Sequence, residues 1–361
     1  MQDKITTTQV TLLIITSIIG IRFLSMPQIL AQHAGRDAWM GIILAGFAVL
    51  VVNYFMILLG NRFPGKTAAE YSQLILGRFL GMGFNMLIAA FFTILGAFAL
   101  RTFGDVAKSF LLEKTPLEVI LITMLFVVGY ILNHGLNALA RIAQVTFPLL
   151  FSALLILLGL GQSLINYGEV LPFFQGGIKP VLTSAFYGWQ GFAGFGLIMF
   201  VLPQMFRPKQ GLQASSAAII ISAIPYVMIF IAILGVFGVE GSSWLVYPVM
   251  DFAREIEFPG AFLERIEIVV LSLWIFTSFT TIAINSYMGI WIFGQSLGLK
   301  EYRGLVAVWL PLVYLLSLLP QNYAQVYFLG DILGFFSIGI ALIVLSLYFL
   351  AKIRGKGEKA K

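Results

Sequence analysis

The chain is dominated by apolar segments whose length suits a helix that crosses a lipid bilayer. Such a helix needs about 20 apolar residues, because the hydrocarbon core is roughly 30 Å thick and each residue adds about 1.5 Å. Ten segments approach or exceed this length, at residues 6–32, 39–60, 83–112, 116–132, 139–164, 181–205, 212–237, 263–297, 305–319 and 326–350. The pattern predicts an all-α integral membrane protein with ten transmembrane helices, of which the fourth and ninth are short.

Composition excludes most other classes of protein. Hydrophobic residues make up 60% and charged residues 11% of the 361 positions, which leaves too little polar surface for a soluble domain. The alternating period of a membrane β-barrel does not occur. The sequence has no cysteine and only two histidines, His33 and His134, so neither a disulfide framework nor a metal site is expected. No phosphate-binding loop or dinucleotide fingerprint is found, and no cofactor is expected.

The basic residues of the loops predict the orientation of the helices. With both termini in the cytoplasm, 14 of the 22 lysines and arginines lie on the inside and 6 on the outside. Inner loops of membrane proteins carry such an excess of positive charge. Because the basic residues are spread over short loops, they indicate topology and not nucleic-acid binding. The first segment lacks a signal-peptide cleavage pattern, so we expect it to remain as a helix.

The segments divide into two halves of five, about 6–165 and 181–350, within one transmembrane domain, 1–361. The first segment of each half is interrupted. Segment one contains TSIIGIRFLSMPQ, with Gly20, Arg22 and Pro27 within eight positions. Segment six contains SAFYGWQGFAGFGLIMFVLP, with four glycines in nine positions and Gln190 among them.

Breaks of this kind leave backbone N–H and C=O groups unpaired, which a membrane tolerates only where they face protein or a water-filled cavity. Paired interruptions at corresponding positions predict a ligand site near the bilayer midplane. The N-terminus of a half-helix attracts a carboxylate and exposed carbonyls attract an amine or a cation, and an amino acid offers both groups. The alternative is that the glycines only allow close helix packing.

Arg22 lies about 16 residues into the first segment, or roughly 24 Å along a helix. An unpaired guanidinium at this depth costs at least about 2.5–3.5 kcal/mol, so we expect an anion beside it. Asp331 in the tenth segment is the candidate, because Arg101 and Asp105 are four residues apart in the third segment and are expected to pair with each other. Arg22 therefore either holds the bundle together through Asp331, or receives the carboxylate of a ligand.

The eighth segment is the most polar of the ten. Its sequence IFTSFTTIAINSYMG places Thr277, Thr281 and Asn285 four residues apart on one helix face. These side chains either line a cavity or bind a sodium ion, or they form hydrogen bonds within the helix bundle.

The longest loop precedes the eighth segment and contains VYPVMDFAREIEFPGAFLERIE. Its middle predicts a short amphipathic helix on the outer surface, ended by the Pro-Gly pair at 259–260. This helix is either a connector or a lid or docking surface.

Two stretches of sequence resemble known families. GIRFLSMP resembles the first-helix break of the amino acid–polyamine–organocation transporter superfamily. The loop pattern of Y-P at 247–248, R-E-I at 254–256 and E-R at 264–265 resembles the B subunit of bacterial spore-germinant receptors, the endospore germination permease family. The resemblance covers nearly the whole chain.

The resemblance implies an all-α fold with a five-plus-five inverted repeat and broken helices one and six. It implies a ligand pocket between segments one, three, six and eight, formed here by Gly20, Ile21, Arg22, Ser25, Phe186, Gly188, Gln190, Gly191, Thr277, Thr281 and Asn285. It also implies a bacterial cell membrane or spore inner membrane location, beside A and C subunits. The implied role is recognition of a small nutrient, often an amino acid, as a signal to leave dormancy.

Two functions therefore remain open: a nutrient-sensing receptor subunit, and an amino acid transporter driven by protons or sodium. The loop pattern favours the first, while the deep arginine and the broken helices suit both. A membrane enzyme is not expected. The G-x-S-x-G match at 294–298 ends an apolar helix, whereas a nucleophile elbow needs a strand before it and histidine and acid partners.

Overall fold

A computed structural model describes residues 4–20, 22–174, 176–256, 266–299 and 301–357. Within these ranges the chain contains no β-strand and forms the helices α1 (Thr7–Ile18), α2 (Arg22–Ala34), α3 (Ala38–Asn61), α4 (Ala68–Leu76), α5 (Arg78–Phe110), α6 (Leu117–Leu132), α7 (Gly135–Gly161), α8 (Ile178–Gly188), α9 (Ile198–Val201), α10 (Gly211–Trp244), α11 (Pro248–Arg254), α12 (Ile266–Ser296), α13 (Val306–Leu318) and α14 (Tyr323–Ile353). Short 3-10 turns join several of them.

Seven helical stretches of the described chain are long and apolar enough to cross a membrane: Arg22–Asn61, Arg78–Phe110, Gly135–Leu164, Ile178–Gln204, Pro208–Trp244, Glu267–Ser296 and Tyr323–Ile353. Three shorter apolar helices accompany them, Thr7–Ile18, Leu117–Leu132 and Arg303–Leu318. The all-α membrane class is confirmed, but the count of ten spans is not. The break in segment one leaves α1 with only 12 residues, and α2 continues into α3 through a 3-10 turn.

Helix α4 is an element that the search for long apolar segments did not predict. It begins with a capping box, in which the Thr67 backbone N–H donates to the Glu70 carboxylate at 2.7 Å. A capping box ahead of a short apolar run is a start signal for a helix. At nine residues, α4 is too short to be found by a search for membrane spans.

Helices α10 and α11 alter the predicted outer loop. α10 extends to Trp244 and contains Gly238 at φ 66°, a left-handed conformation that glycine adopts without a Cβ clash. A short helix is present at this place as α11, but five of its seven residues are buried and it ends at Arg254, before the predicted end at 259–260. The pair at 259–260 and the E-R pair at 264–265 lie outside the described residues.

The centre of the bundle is formed by α12, which packs along α5 and α7. Small residues make the contact with α5 close: a Cβ on Gly96 would lie 3.1 Å from the Ser286 hydroxyl oxygen, and one on Gly289 would lie 3.2 Å from the Thr93 backbone nitrogen. Close packing through small residues is typical of helices in membranes.

The two interrupted stretches pack against each other beside this centre. α1 packs on the 3-10 segment Trp189–Leu197, which separates α8 from α9, and α2 packs on α8. The Ile5 backbone N–H donates to the Gln204 carbonyl at 2.9 Å, and Phe206 N–H donates to the Ile5 carbonyl at 2.9 Å. The start of the first stretch therefore lies at the end of the second, and the two breaks face each other.

Candidate ligand site between the broken helices

The first break keeps its backbone groups paired through side chains of α12. The Thr16 carbonyl lies 2.7 Å from the Thr281 hydroxyl, and the Gly20 carbonyl accepts from the Trp274 indole N–H at 3.1 Å. A Cβ on Gly20 would lie 2.5 Å from Cγ2 of Thr281, so only glycine allows this approach. Paired carbonyls are what a break must have to survive inside a membrane protein.

The second break is the 3-10 segment Trp189–Leu197. Its glycines let the chain pass closely over α1: a Cβ on Gly194 would lie 2.6 Å from the Ser17 carbonyl oxygen. The Tyr226 hydroxyl of α10 joins the two breaks, since it lies 3.1 Å from the Ile18 carbonyl and 3.2 Å from the Gly191 carbonyl.

Arg22 begins α2 and is buried, with an exposure of 8%. Its Nη2 lies 3.5 Å from the Asp331 carboxylate, and its guanidinium carbon lies 5.5 Å from the centre of the Phe98 ring. The Asp331 side chain is one-third exposed. No second hydrogen bond to a described residue engages the guanidinium. The ion pair is therefore long and uses one nitrogen of the guanidinium. Most of the five N–H donors of the arginine are left for another anion.

Arg101 and Asp105 pair with each other on α5. Nε of Arg101 lies 3.0 Å from both oxygens of the Asp105 carboxylate. Neither side chain borders the cavity described next, so this pair belongs to the structure of α5.

A cavity of about 30 Å³ lies between the two breaks, α5, α12 and α14. Its polar lining comes from Ser17, Arg22, Gln190, Thr281 and Asn285. A water molecule needs roughly 10–15 Å³ by this measure, so the space holds about two waters. An amino acid is larger, so the surrounding helices must separate before one can enter.

Several polar atoms around the cavity are buried without a hydrogen-bond partner among the described residues. They are both amide atoms of Gln190, Oδ1 of Asn285 and the Ser17 hydroxyl oxygen. Each buried polar atom left unpaired costs about 1–3 kcal/mol. Arg22 is the one charged side chain in the described lining. The chemistry therefore suits a ligand that carries a carboxylate and other hydrogen-bonding groups.

The structure brings only part of the sequence-predicted set to this cavity. The lining includes Arg22, Gln190, Gly191, Thr281 and Asn285. Gly20 does not line the cavity, but it packs against Thr281, which does. Ile21 lies outside the described residues.

Four predicted residues lie elsewhere. Phe186 is half-exposed and stacks on the Phe335 ring at 5.0 Å, because it projects from the outer side of α8. Gly188 faces α3, where an added Cβ would lie 3.5 Å from Cβ of Ala45. Ser25 and Thr277 are buried but do not border the cavity. These four do not form the pocket in this structure.

Sequence reasoning missed other residues of the site, namely Ser17, Phe98, Tyr226, Gly330 and Gly334. A tyrosine within an apolar span is a usable signal, because a buried hydroxyl usually has a partner. The two α14 glycines carry no signal of their own, since glycine is common in membrane helices.

Metal and enzyme chemistry lack support at this site. No group of three or more histidine, cysteine, aspartate or glutamate side chains that could hold a metal occurs within the described ranges. Ser296 of the G-x-S-x-G match ends α12, and its hydroxyl donates to the Ile292 carbonyl at 2.8 Å. The serine is therefore part of a helix end and has no strand before it.

Comparison of the fold with solved structures finds a transporter. The chain superimposes on MHP1, a nucleobase-cation-symport-1 family transporter in a closed conformation with bromovinylhydantoin bound, with a TM-score of 0.71. The match covers 98% of this chain and 80% of MHP1, at 14% sequence identity. At this identity the likeness shows the fold alone, and it confirms the transporter-like arrangement of broken helices.

Comparison of sequences finds proteins of spore germination. The chain is 29% identical to spore germination protein YndE of Bacillus subtilis, over 99% of each protein. It is 26% identical to spore germination protein A2 of the same organism, over 97% of this chain and 96% of A2. Its identity to spore germination protein B2 of Bacillus subtilis is 24%, over 98% of this chain and 97% of B2.

A family model described as "Spore germination protein" matches residues 4–326. This match covers most of the chain, and it agrees with the relatives and with the transporter fold. The family and the transporter fold point to an integral membrane protein that senses germinants or transports solutes and is not an enzyme. The chain belongs to the spore germination protein family, the spore permeases.

Proposed function

We propose that the chain is the nutrient-sensing membrane subunit of a spore-germinant receptor, and that it binds a small amino acid in the central cavity. One observation carries this proposal: buried Arg22 and the unpartnered amide of Gln190 border the same cavity between two helix breaks. The ligand carboxylate would bind the guanidinium through charge-assisted hydrogen bonds. The ligand ammonium would donate to Oε1 of Gln190 and Oδ1 of Asn285.

The size of the cavity supports sensing through a change of shape. A space of about 30 Å³ must widen to admit an amino acid. A ligand that binds the wider state shifts the population of the protein toward that state. Binding would therefore change the arrangement of the broken helices, and this change is the signal in our proposal.

The proposal includes the surroundings of the protein. We place it in a bacterial cell membrane or spore inner membrane with both termini in the cytoplasm, because this orientation puts most basic loops inside. We propose A and C subunits as its partners, following the resemblance to germinant-receptor B subunits. We also propose that the chain acts as one domain built from repeats at about 6–165 and 181–350.

A thermal-shift screen of the purified protein against amino acids, sugars and nucleosides tests the ligand class. We expect one or more amino acids to raise the melting temperature. The variant Arg22→Ala should lose this shift, while Arg78→Ala, which removes an exposed arginine at the start of α5, should keep it. A response to sugars or nucleosides alone would contradict the amino-acid proposal. Co-purification with A and C subunits tests the receptor role.

A second candidate function, transport, is supported by a larger cavity. This cavity of about 440 Å³ lies at the C-terminal end of α12 and is lined in part by Tyr287, Trp291 and Gln295. Asn285 of the same helix borders the central cavity, but residues two apart in a helix do not share a face. The two cavities therefore lie on different faces of α12, and in this second candidate function a path between them forms when the helices move. Saturable amino-acid uptake into reconstituted vesicles would favour transport over sensing alone.

A further inference from the structure

Helix α14 presents two glycines to the two breaks. Gly330 and Gly334 are four residues apart, so they lie on one face of the helix, about 6 Å apart along its axis. Both border the central cavity. The family resemblance implied a pocket between segments one, three, six and eight, and α14 was not part of it.

Gly330 accommodates Arg22 of the first break. A Cβ on Gly330 would lie 2.8 Å from the guanidinium carbon of Arg22 and 3.0 Å from Cζ of Phe98. Real Cβ atoms do not approach neighbours this closely, so Arg22 would have to move. Gly330 therefore leaves the space that the guanidinium occupies, next to Asp331 of the same helix.

Gly334 accommodates Gln190 of the second break. A Cβ on Gly334 would lie 2.5 Å from Cδ and 2.9 Å from Cβ of Gln190. Gln190 is 2% exposed, and neither its amide nitrogen nor its amide oxygen has a partner among the described residues. Gly334 thus leaves room for the Gln190 amide at the edge of the cavity. The donor and acceptor atoms of this buried amide remain unpaired. This second observation points to a ligand and not to helix packing alone.

We propose that Gly330 and Gly334 are positioning residues that determine which amino acids the cavity accepts. The inference rests on the proposed function, because it concerns the same site. A side chain at either glycine displaces Arg22 or Gln190, and because both line a cavity of about 30 Å³, their displacement changes the shape that the ligand meets. The ligand class is a small amino acid whose carboxylate meets Arg22 and whose ammonium meets Gln190.

The helix offers a matched control for this claim. Gly339 is also in α14, and an added Cβ there would have no atom within 4 Å. The variant Gly339→Ala therefore makes the same chemical change in the same helix without touching either break.

The test compares Gly330→Ala, Gly334→Ala and Gly339→Ala with the wild type in lipid nanodiscs. Affinities for glycine, alanine and leucine are measured by calorimetry. One extra methyl group in a pocket changes discrimination by about tenfold or more, so we expect both cavity variants to change the leucine-to-glycine affinity ratio by at least that factor. Gly339→Ala should keep the wild-type ratio. An unchanged ratio in both cavity variants overturns the inference, because a purely structural role would alter stability and leave selectivity alone.

A double variant covers the case in which Gly334→Ala does not fold. Gly334→Ala/Gln190→Gly removes all the Gln190 atoms that the new methyl group would strike. We expect the double variant to fold where Gly334→Ala alone does not. If the double variant is also unfolded, Gly334 serves the packing of the helix backbone and the inference is wrong.

The result also separates this inference from the proposed function. A wild-type protein that binds none of the amino acids overturns both. A wild-type protein that binds an amino acid, together with cavity variants of unchanged selectivity, overturns only the role of the two glycines.

Discussion

The hydroxyl of Tyr226 lies 3.1 Å from the carbonyl oxygen of Ile18, at the end of α1. The same hydroxyl lies 3.2 Å from the carbonyl of Gly191 in the second break. One side chain of α10 thus meets freed backbone groups of both interrupted stretches. It ties together the two elements that, in our proposal, separate when the cavity opens.

We predict that Tyr226→Phe destabilises the protein by about 1–3 kcal/mol, because two buried carbonyls lose their shared donor. Thermal unfolding in detergent or nanodiscs measures this loss. Tyr54→Phe is the control, since Tyr54 is 47% exposed on α3. Equal melting temperatures for Tyr226→Phe and the wild type would show that the hydroxyl does not hold the breaks together.

A second prediction concerns Gly20. Gly20→Ala places a methyl group against Thr281, with Cγ2 at 2.5 Å. Overpacking of this kind costs about 1–3 kcal/mol, and here it also pushes α12 away from the first break. Gly83→Ala serves as the control, because Gly83 is an exposed glycine in a helix and an added Cβ there has no atom within 4 Å. If both variants melt at the same temperature, the close approach of α12 is not required.

A third prediction concerns pH and the short helix α11. Burial raises the pKa of the Asp251 carboxyl, although the charge of Arg254 opposes the shift. The folded protein then holds the proton more tightly than the unfolded chain does. Stabilisation from this group is therefore present at acid pH and is lost as the pH rises past about 3.9 and through the raised pKa.

Asp251→Asn should remove this loss of stability with rising pH. We expect the variant to melt above the wild type at pH 7, and the difference to shrink as the pH is lowered toward 4. Glu113→Gln, which removes a carboxylate at an exposed loop position, is the matched control. A variant that melts below the wild type at pH 7 would mean that attraction to Arg254 outweighs the cost of burial.

Much of the fold was predictable because membranes impose strict rules on a chain. Long apolar runs, and glycines clustered where a helix must break, follow from the need to bury backbone groups. The partner of Arg22 was also accessible to reasoning, since a deep guanidinium needs an anion and Asp331 was the candidate. The structure places the two groups 3.5 Å apart.

The rest of the site was not predictable from local sequence. Residues such as Ser17 and Gly334 gain their importance from the residue that packs on them, which no spacing rule reveals. The family resemblance implied that Phe186 belongs to the pocket, but Phe186 projects from α8 away from the cavity and is half-exposed. The count of ten spans depended on helix lengths, and these are altered by the break itself and by the continuation of α2 into α3.

The fourth and central prediction is that Arg22 receives the ligand carboxylate. Thermal-shift and calorimetric measurements should compare an amino acid that binds the wild type with the amine that lacks its carboxylate. We predict that the amino acid binds, that the amine does not, and that Arg22→Ala binds neither. The account of this site would be contradicted if Arg22→Ala kept the stability of the wild type and bound the amino acid with the same affinity.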